Sequence, residues 1–112
     1  MKQLKFVLKT NNDIVIDKEV NYILKENILK FTIDETLYEY DIDSKIMKKK
    51  DKESLIEIDF NKSLIIITVL DINYSVDMEI NDVIVQNKDN EINLKYTFMN
   101  DEKTTNCILI KY

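Results

Sequence analysis

Apolar and polar residues alternate with a period of two along almost the whole chain. Leu4, Phe6 and Leu8 interleave with Lys5 and Lys9, which predicts a half-buried strand over residues 2–9 ending in the turn Thr10-Asn11-Asn12-Asp13. Ile14, Ile16, Val20, Tyr22 and Leu24 hold one phase across Lys18. Either one long strand bends there, or Asp17-Lys18-Glu19 turns between two short ones. Glu26-Asn27 precedes Leu29, Phe31 and Ile33; Tyr38, Tyr40 and Ile42 lead through Asp43-Ser44 into Ile46 to Lys50; then come Ile56, Ile58 and Phe60. Ile72, Tyr74, Val76, Met78 and Ile80 alternate with Asn73, Ser75, Asp77 and Glu79, the pattern of a strand with one wet face. Asn81-Asp82 reads as a turn into Val83-Ile84-Val85, and Lys88-Asp89-Asn90 as a turn into Ile92, Leu94, Tyr96 and Phe98. Asn100 to Lys103 leads into Ile108, Ile110 and Tyr112.

Leu64 to Leu70 breaks the alternation, because it is apolar at both phases. With Leu64, Ile66, Thr68 and Leu70 assigned to the interior, Ile65, Ile67 and Val69 face outward as an aliphatic stripe. Such a stripe is either a contact for a protein partner or a second copy of the chain, or is covered by the chain's own loops or first strand.

No window prefers a helical period. About ten strands follow one another with turn signals every ~8–12 residues. The predicted class is all-β, a single antiparallel up-and-down meander of 8–10 strands within one domain, residues 1–112. Closure into a barrel is favoured, since a flat meander would leave an apolar face and two unpaired edges in water.

Composition sharpens this by subtraction. The 112 residues include no Gly, Pro, His, Trp, Ala or Arg, and Ile, Lys and Asn abound, a bias expected of an AT-rich genome. Without Gly there is no phosphate-cradling loop, and without His no imidazole base, imidazole-activated nucleophile or imidazole metal ligand. The single Cys107 forms neither an internal disulfide nor a thiolate-rich zinc site, consistent with a reducing compartment. A net charge of −5 and the absence of Arg argue against nucleic acid and anionic membranes as partners. The longest apolar run near the N-terminus, Phe6-Val7-Leu8, is too short for a signal-peptide core, so a cytoplasmic location is expected.

Leu29 to Glu35 ends acidic, Lys45 to Lys50 is basic, and Leu55 to Phe60, Val76 to Ile80, Ile92 to Phe98 and Asn106 to Ile110 follow in order. This succession resembles a small family of calycin-like barrels of low-GC bacteria, the YwiB-like proteins, related to lipocalins and of unknown function. The resemblance implies a closed, calycin-like barrel and no known activity. Where that family tends to carry a Thr-Pro-Tyr-Gly corner, this chain has Asp71-Ile72-Asn73-Tyr74. It also lacks the Gly-x-Trp of lipocalins proper, so lipocalin ligand chemistry is not carried over.

Six tyrosines fall at mainly apolar phases. Inside a barrel Tyr22, Tyr38, Tyr40, Tyr74 and Tyr96 are candidates to line a ligand cavity, or else they fill the core with their hydroxyls toward the barrel ends. The run Lys48-Lys49-Lys50 reads either as a dock for an acidic partner or as a solvated strand edge. Asp41-x-Asp43, Asp71-x-Asn73 and Asp89-Asn90-Glu91 lack calcium-loop spacing and read as turns. No catalytic residue, metal site or cofactor is expected. The leading expectation is a non-enzymatic binding module for a small apolar ligand. The alternative is an interaction protein, a homodimer among its forms, working through Ile65, Ile67 and Val69.

Overall fold

A computed structural model describes residues 2–112. Ten antiparallel strands follow in chain order: β1 (Gln3–Thr10), β2 (Asp13–Lys25), β3 (Ile28–Ile33), β4 (Thr36–Asp41), β5 (Ile46–Lys50), β6 (Ser54–Asp59), β7 (Leu64–Val69), β8 (Tyr74–Lys88), β9 (Glu91–Phe98) and β10 (Asp101–Lys111). Each pairs with its sequence neighbours, and β1 pairs with β10, so the meander closes on itself. Closure leaves no free edge. The lysine-rich β5 is therefore not an edge strand but lies between β4 and β6.

Hairpin turns need positive φ, and a chain without glycine meets that need with other residues. Asn27, Asn90, Asn11, Asn73, Asp34 and Asp89 adopt it, and so do Glu26, Glu35, Lys45 and Ser63. Three tight turns, Glu26-Asn27, Asp34-Glu35 and Asp89-Asn90, have both central residues at positive φ, the backbone that matches strand twist. Other links are Asx-stabilised: Asp41 Oδ1 accepts from the amides of Asp43 and Ser44, and Asp59 Oδ1 from those of Asn61 and Lys62. Both carboxylates are thus engaged by backbone, Asp41 as its sequence setting suggested.

Two strands are long because each serves two neighbours. The first part of β2 pairs with β1 and its last four residues with β3; β8 pairs with β7 up to Glu79 and with β9 from Ile80 onward. These are the corners of the barrel. Lys18 therefore lies within one continuous strand, and the turn expected at Asn81-Asp82 is a β-bulge inside β8, with Asp82 at φ 52°. The bulge resets the inward phase from Ile80 to Val83 and Val85, which pack against the core.

The interior is lined by rows of directly paired residues. The deepest complete row runs Leu29, Tyr40, Met47, Ile58, Ile65 and Met78. The next row toward the Asp34-Glu35 hairpin runs Phe31, Tyr38, Lys49, Ile56, Ile67 and Val76. From the opposite wall Leu4, Phe6, Ile92, Leu94, Tyr96, Ile108 and Ile110 complete the core.

These rows reverse the phase assigned to β7. Ile65 is buried and Ile67 packs on the core, while Leu64, Ile66 and Thr68 are on the outer surface. The reason is register. Opposed residues of an antiparallel pair share a face, and Ile58, which is buried, opposes Ile65. A run apolar at both phases carries no internal mark of which phase is inside, so its partner strand decides. Ile65, Ile67 and Val69 do not form an outward stripe.

Candidate functional site

The barrel is filled at one end and open at the other. Where the chain termini and the β2–β3, β4–β5, β6–β7 and β8–β9 turns gather, Tyr40, Leu29 and Ile110 are completely buried. Toward the β3–β4, β5–β6 and β7–β8 turns, inward-phase residues become steadily more exposed along β7 and β8. Val69 has 39% of its surface exposed, Val76 42% and Tyr74 57%. Residues that point into a barrel and still meet water mark a mouth.

Behind that mouth lies a cavity of about 150 Å³. Its walls are Phe6, Leu8, Tyr38, Met47, Lys49, Ile56, Ile58, Ile65, Ile67, Tyr96, Phe98 and Ile108. Ten strands enclose more space than the eight whose side chains fill a barrel, so the lumen outruns the side chains available to it. Two aromatic groups flank the space. Phe31 stacks on Tyr38 with centroids 5.2 Å apart and Phe6 tilts against both, while Tyr96 meets Phe60 and Phe98 edge-on.

The candidate tyrosines separate by position. Tyr38 and Tyr96 line the cavity. Tyr40 is solid core, Tyr22 packs edge-on against Tyr112 at the closed end, and Tyr74 stands at the rim. Burial raises the phenol pKa of Tyr38, Tyr40 and Tyr96; the charge of Asp34 adds to the effect at Tyr38, and Tyr40 is pushed up to about 12. All three phenols stay protonated across the physiological range. The Tyr40 hydroxyl is buried with no partner at full hydrogen-bond geometry among the described residues, near Asn87 and Tyr112 of the closed end.

Lys49 is the functional candidate that the residue pattern concealed. Within Lys48-Lys49-Lys50 only the middle residue takes the inward phase, opposite Tyr38 and Ile56. Its neighbour Lys48 points outward and pairs with Glu57 at 3.6 Å. Lys49 Nζ lies 5.7 Å from the centre of the Tyr38 ring, a cation–π contact. The signal was available in the two-residue spacing from Met47, but a run of three identical charges hides alternation.

On the outside, Lys5, Lys9, Lys95 and Lys111 border a groove of about 660 Å³ over β1, β9 and β10, with Val7, Leu109 and Asp17 among its lining. Cys107 lies half-buried in the same groove. Across the barrel, Leu64 and Ile66 sit between carboxylates: Glu57 and Asp77 flank Ile66, and Asp59 and Glu79 flank Leu64. Among the described residues no cluster of three or more Cys, Asp or Glu is arranged to hold a metal ion.

Comparison of the chain with protein families, curated proteins and solved structures finds no match.

Proposed function

We propose that this protein is a non-enzymatic binding module that holds a small, largely apolar ligand in the open half of its barrel. The observation that carries this reading is the cavity of about 150 Å³ behind a mouth whose inward-pointing wall is exposed. A largely apolar space of this size takes a compact apolar molecule about as large as benzene. Grouping with the calycin-like, YwiB-like barrels is part of the same proposal, supported by the strand order and the accessible lumen. A cytoplasmic setting fits the single free cysteine. Outward positions bearing Lys5, Lys30, Glu39, Lys48, Glu57, Asp77 and Lys95 are unlike the apolar outer band of a membrane barrel, which favours a protein that works in water.

Native mass spectrometry for co-purifying ligands and calorimetric titration with 2-phenylethanol test the proposal. Binding to the wild type, weakened about tenfold or more in a folded Ile67→Phe variant that occupies the cavity, is the expected result. No co-purifying molecule and no heat of binding to the folded wild type would overturn it.

A second reading, docking between copies of this chain, is favoured by the two outer faces. The lysine-bordered groove on β1, β9 and β10 complements the carboxylate-flanked Leu64 and Ile66 on β7. Because the faces differ, the contact would be head-to-tail, and light scattering should show mass growing with concentration at low salt. Ile66→Lys should abolish that growth. A monomer at every concentration in the wild type removes this reading.

A further inference from the structure

The inner wall of the barrel carries a lysine that makes no direct ion pair among the described residues. Lys49 is half-buried on the inner wall, among Tyr38, Met47, Ile56 and Ile67. Among the described residues it makes no ion pair within 4 Å, unlike Lys5, Lys30 and Lys48. Asp51 feels its charge, but that carboxylate already accepts the amides of Glu53 and Ser54 at 2.8 Å. An ammonium drawn into an apolar wall costs stability unless it is compensated. Every neighbour in its row shows that an apolar side chain fits there.

A second polar group lies on the inward phase of the opposite wall. Asn106, on the inward phase of β10, is opposed by Thr10 and Tyr96; Thr10 Oγ1 donates to its Oδ1 at 3.1 Å. That leaves Nδ2, a donor, buried with no partner among the described residues. Strands β5 and β10 lie five places apart around the ring of ten, so the two donors come from opposite walls. The cavity wall contains no carboxylate among the described residues. Its one charged group is the Lys49 ammonium, a donor.

We infer that the ligand of this lumen is an aromatic monocarboxylate, its ring among Phe6, Tyr38, Tyr96 and Phe98 and its carboxylate on Lys49 at the mouth. This rests on the lumen-binding reading above and assigns the ligand its chemical class. The cavity takes a body about the size of a benzene ring, and four aromatic side chains offer it faces and edges. A single lysine matches a single negative charge; a phosphate would ask for more cations or an arginine fork.

Calorimetric titration of the wild type, Lys49→Met and Lys49→Arg with phenylacetate and with 2-phenylethanol, its neutral counterpart, tests the assignment. Phenylacetate should bind the wild type about tenfold or more tighter than 2-phenylethanol. That preference should vanish in Lys49→Met and persist in Lys49→Arg. Equal affinities in the wild type, or a preference that survives Lys49→Met, would overturn the carboxylate assignment and leave the lumen reading standing. Failure of both compounds to bind would overturn the lumen reading and this inference with it. The wild-type comparison alone decides if either variant does not fold.

Discussion

Ile65 lies directly opposite Ile58 across the β6–β7 pair, and both are buried, with 3% and 7% of their surfaces exposed. That pairing sets the face of every residue from Leu64 to Val69. Ile65→Ala should destabilise the barrel by about 2–4 kcal/mol, through lost transfer energy and the cavity left behind. Ile66→Ala, on the half-buried outer face, should cost about 1 kcal/mol or less. Urea unfolding of both variants measures the difference. Equal losses at the two positions would contradict the register.

The strand succession and barrel closure could be read from alternation because β1, β3, β4 and β9 each expose one face and bury the other. Alternation failed where both faces are apolar, at Leu64 to Leu70. It also failed where the backbone shifts phase without a turn, at the Asp82 bulge. Asn81-Asp82 looks like turn chemistry because a bulge also needs a residue at positive φ. The tyrosines could be placed inside, but not apart. Whether Tyr38 lines a cavity and Tyr40 fills the core depends on how far each sits from the mouth, which period-two patterning does not encode. Lys49 was lost for a different reason: three identical charges in a row hide the alternation that its two-residue spacing from Met47 carries.

Glu35 adopts φ 69° in the β3–β4 hairpin, and the chain has no glycine to relieve it. The left-handed region costs a residue with a Cβ roughly 1–2 kcal/mol, part of which glycine returns through its freer unfolded state. Glu35→Gly should therefore stabilise the protein by about 0.5–1 kcal/mol, a rise in Tm of about 2–5 °C. Thermal melting by circular dichroism checks this. An unchanged or lower Tm would show that the turn holds Glu35 without strain.

Asp51 caps the β5–β6 connection, its carboxylate accepting from the amides of Glu53 and Ser54, and these bonds hold its pKa below the ordinary carboxylate value of 3.8. A lowered pKa means that the folded state prefers the charged form. The associated stability is present above 3.8 and is lost as pH falls through the folded-state value. A carbon-detected NMR titration should find Asp51 titrating below 3.8, with the amide signals of Glu53 and Ser54 moving in step. In Asp51→Ala those amide shifts should lose their acid dependence. A midpoint at or above 3.8 would remove the cap.

Tyr40 presents the opposite sign at alkaline pH. Its hydroxyl is fully buried, with no partner at full hydrogen-bond geometry among the described residues; burial, which outweighs a weak interaction with the Asn87 side chain, pushes its pKa up to about 12 from an ordinary 10.0. The folded state thus retains a proton that the unfolded chain has released. Stability associated with Tyr40 is intact below pH 10 and falls between pH 10 and about 12. One fully displaced proton corresponds to about 1.4 kcal/mol per pH unit. Tyr40→Phe removes both the titration and the unsatisfied hydroxyl. At pH 7 the variant should equal the wild type or exceed it by up to about 1 kcal/mol. Above pH 10 its advantage should widen, because the wild type loses stability along a slope that the variant lacks. Urea midpoints from pH 9 to 11.5 follow the divergence. Parallel profiles would mean that the Tyr40 hydroxyl finds a partner or water, and a large loss at pH 7 would mean that the partner is essential to the core.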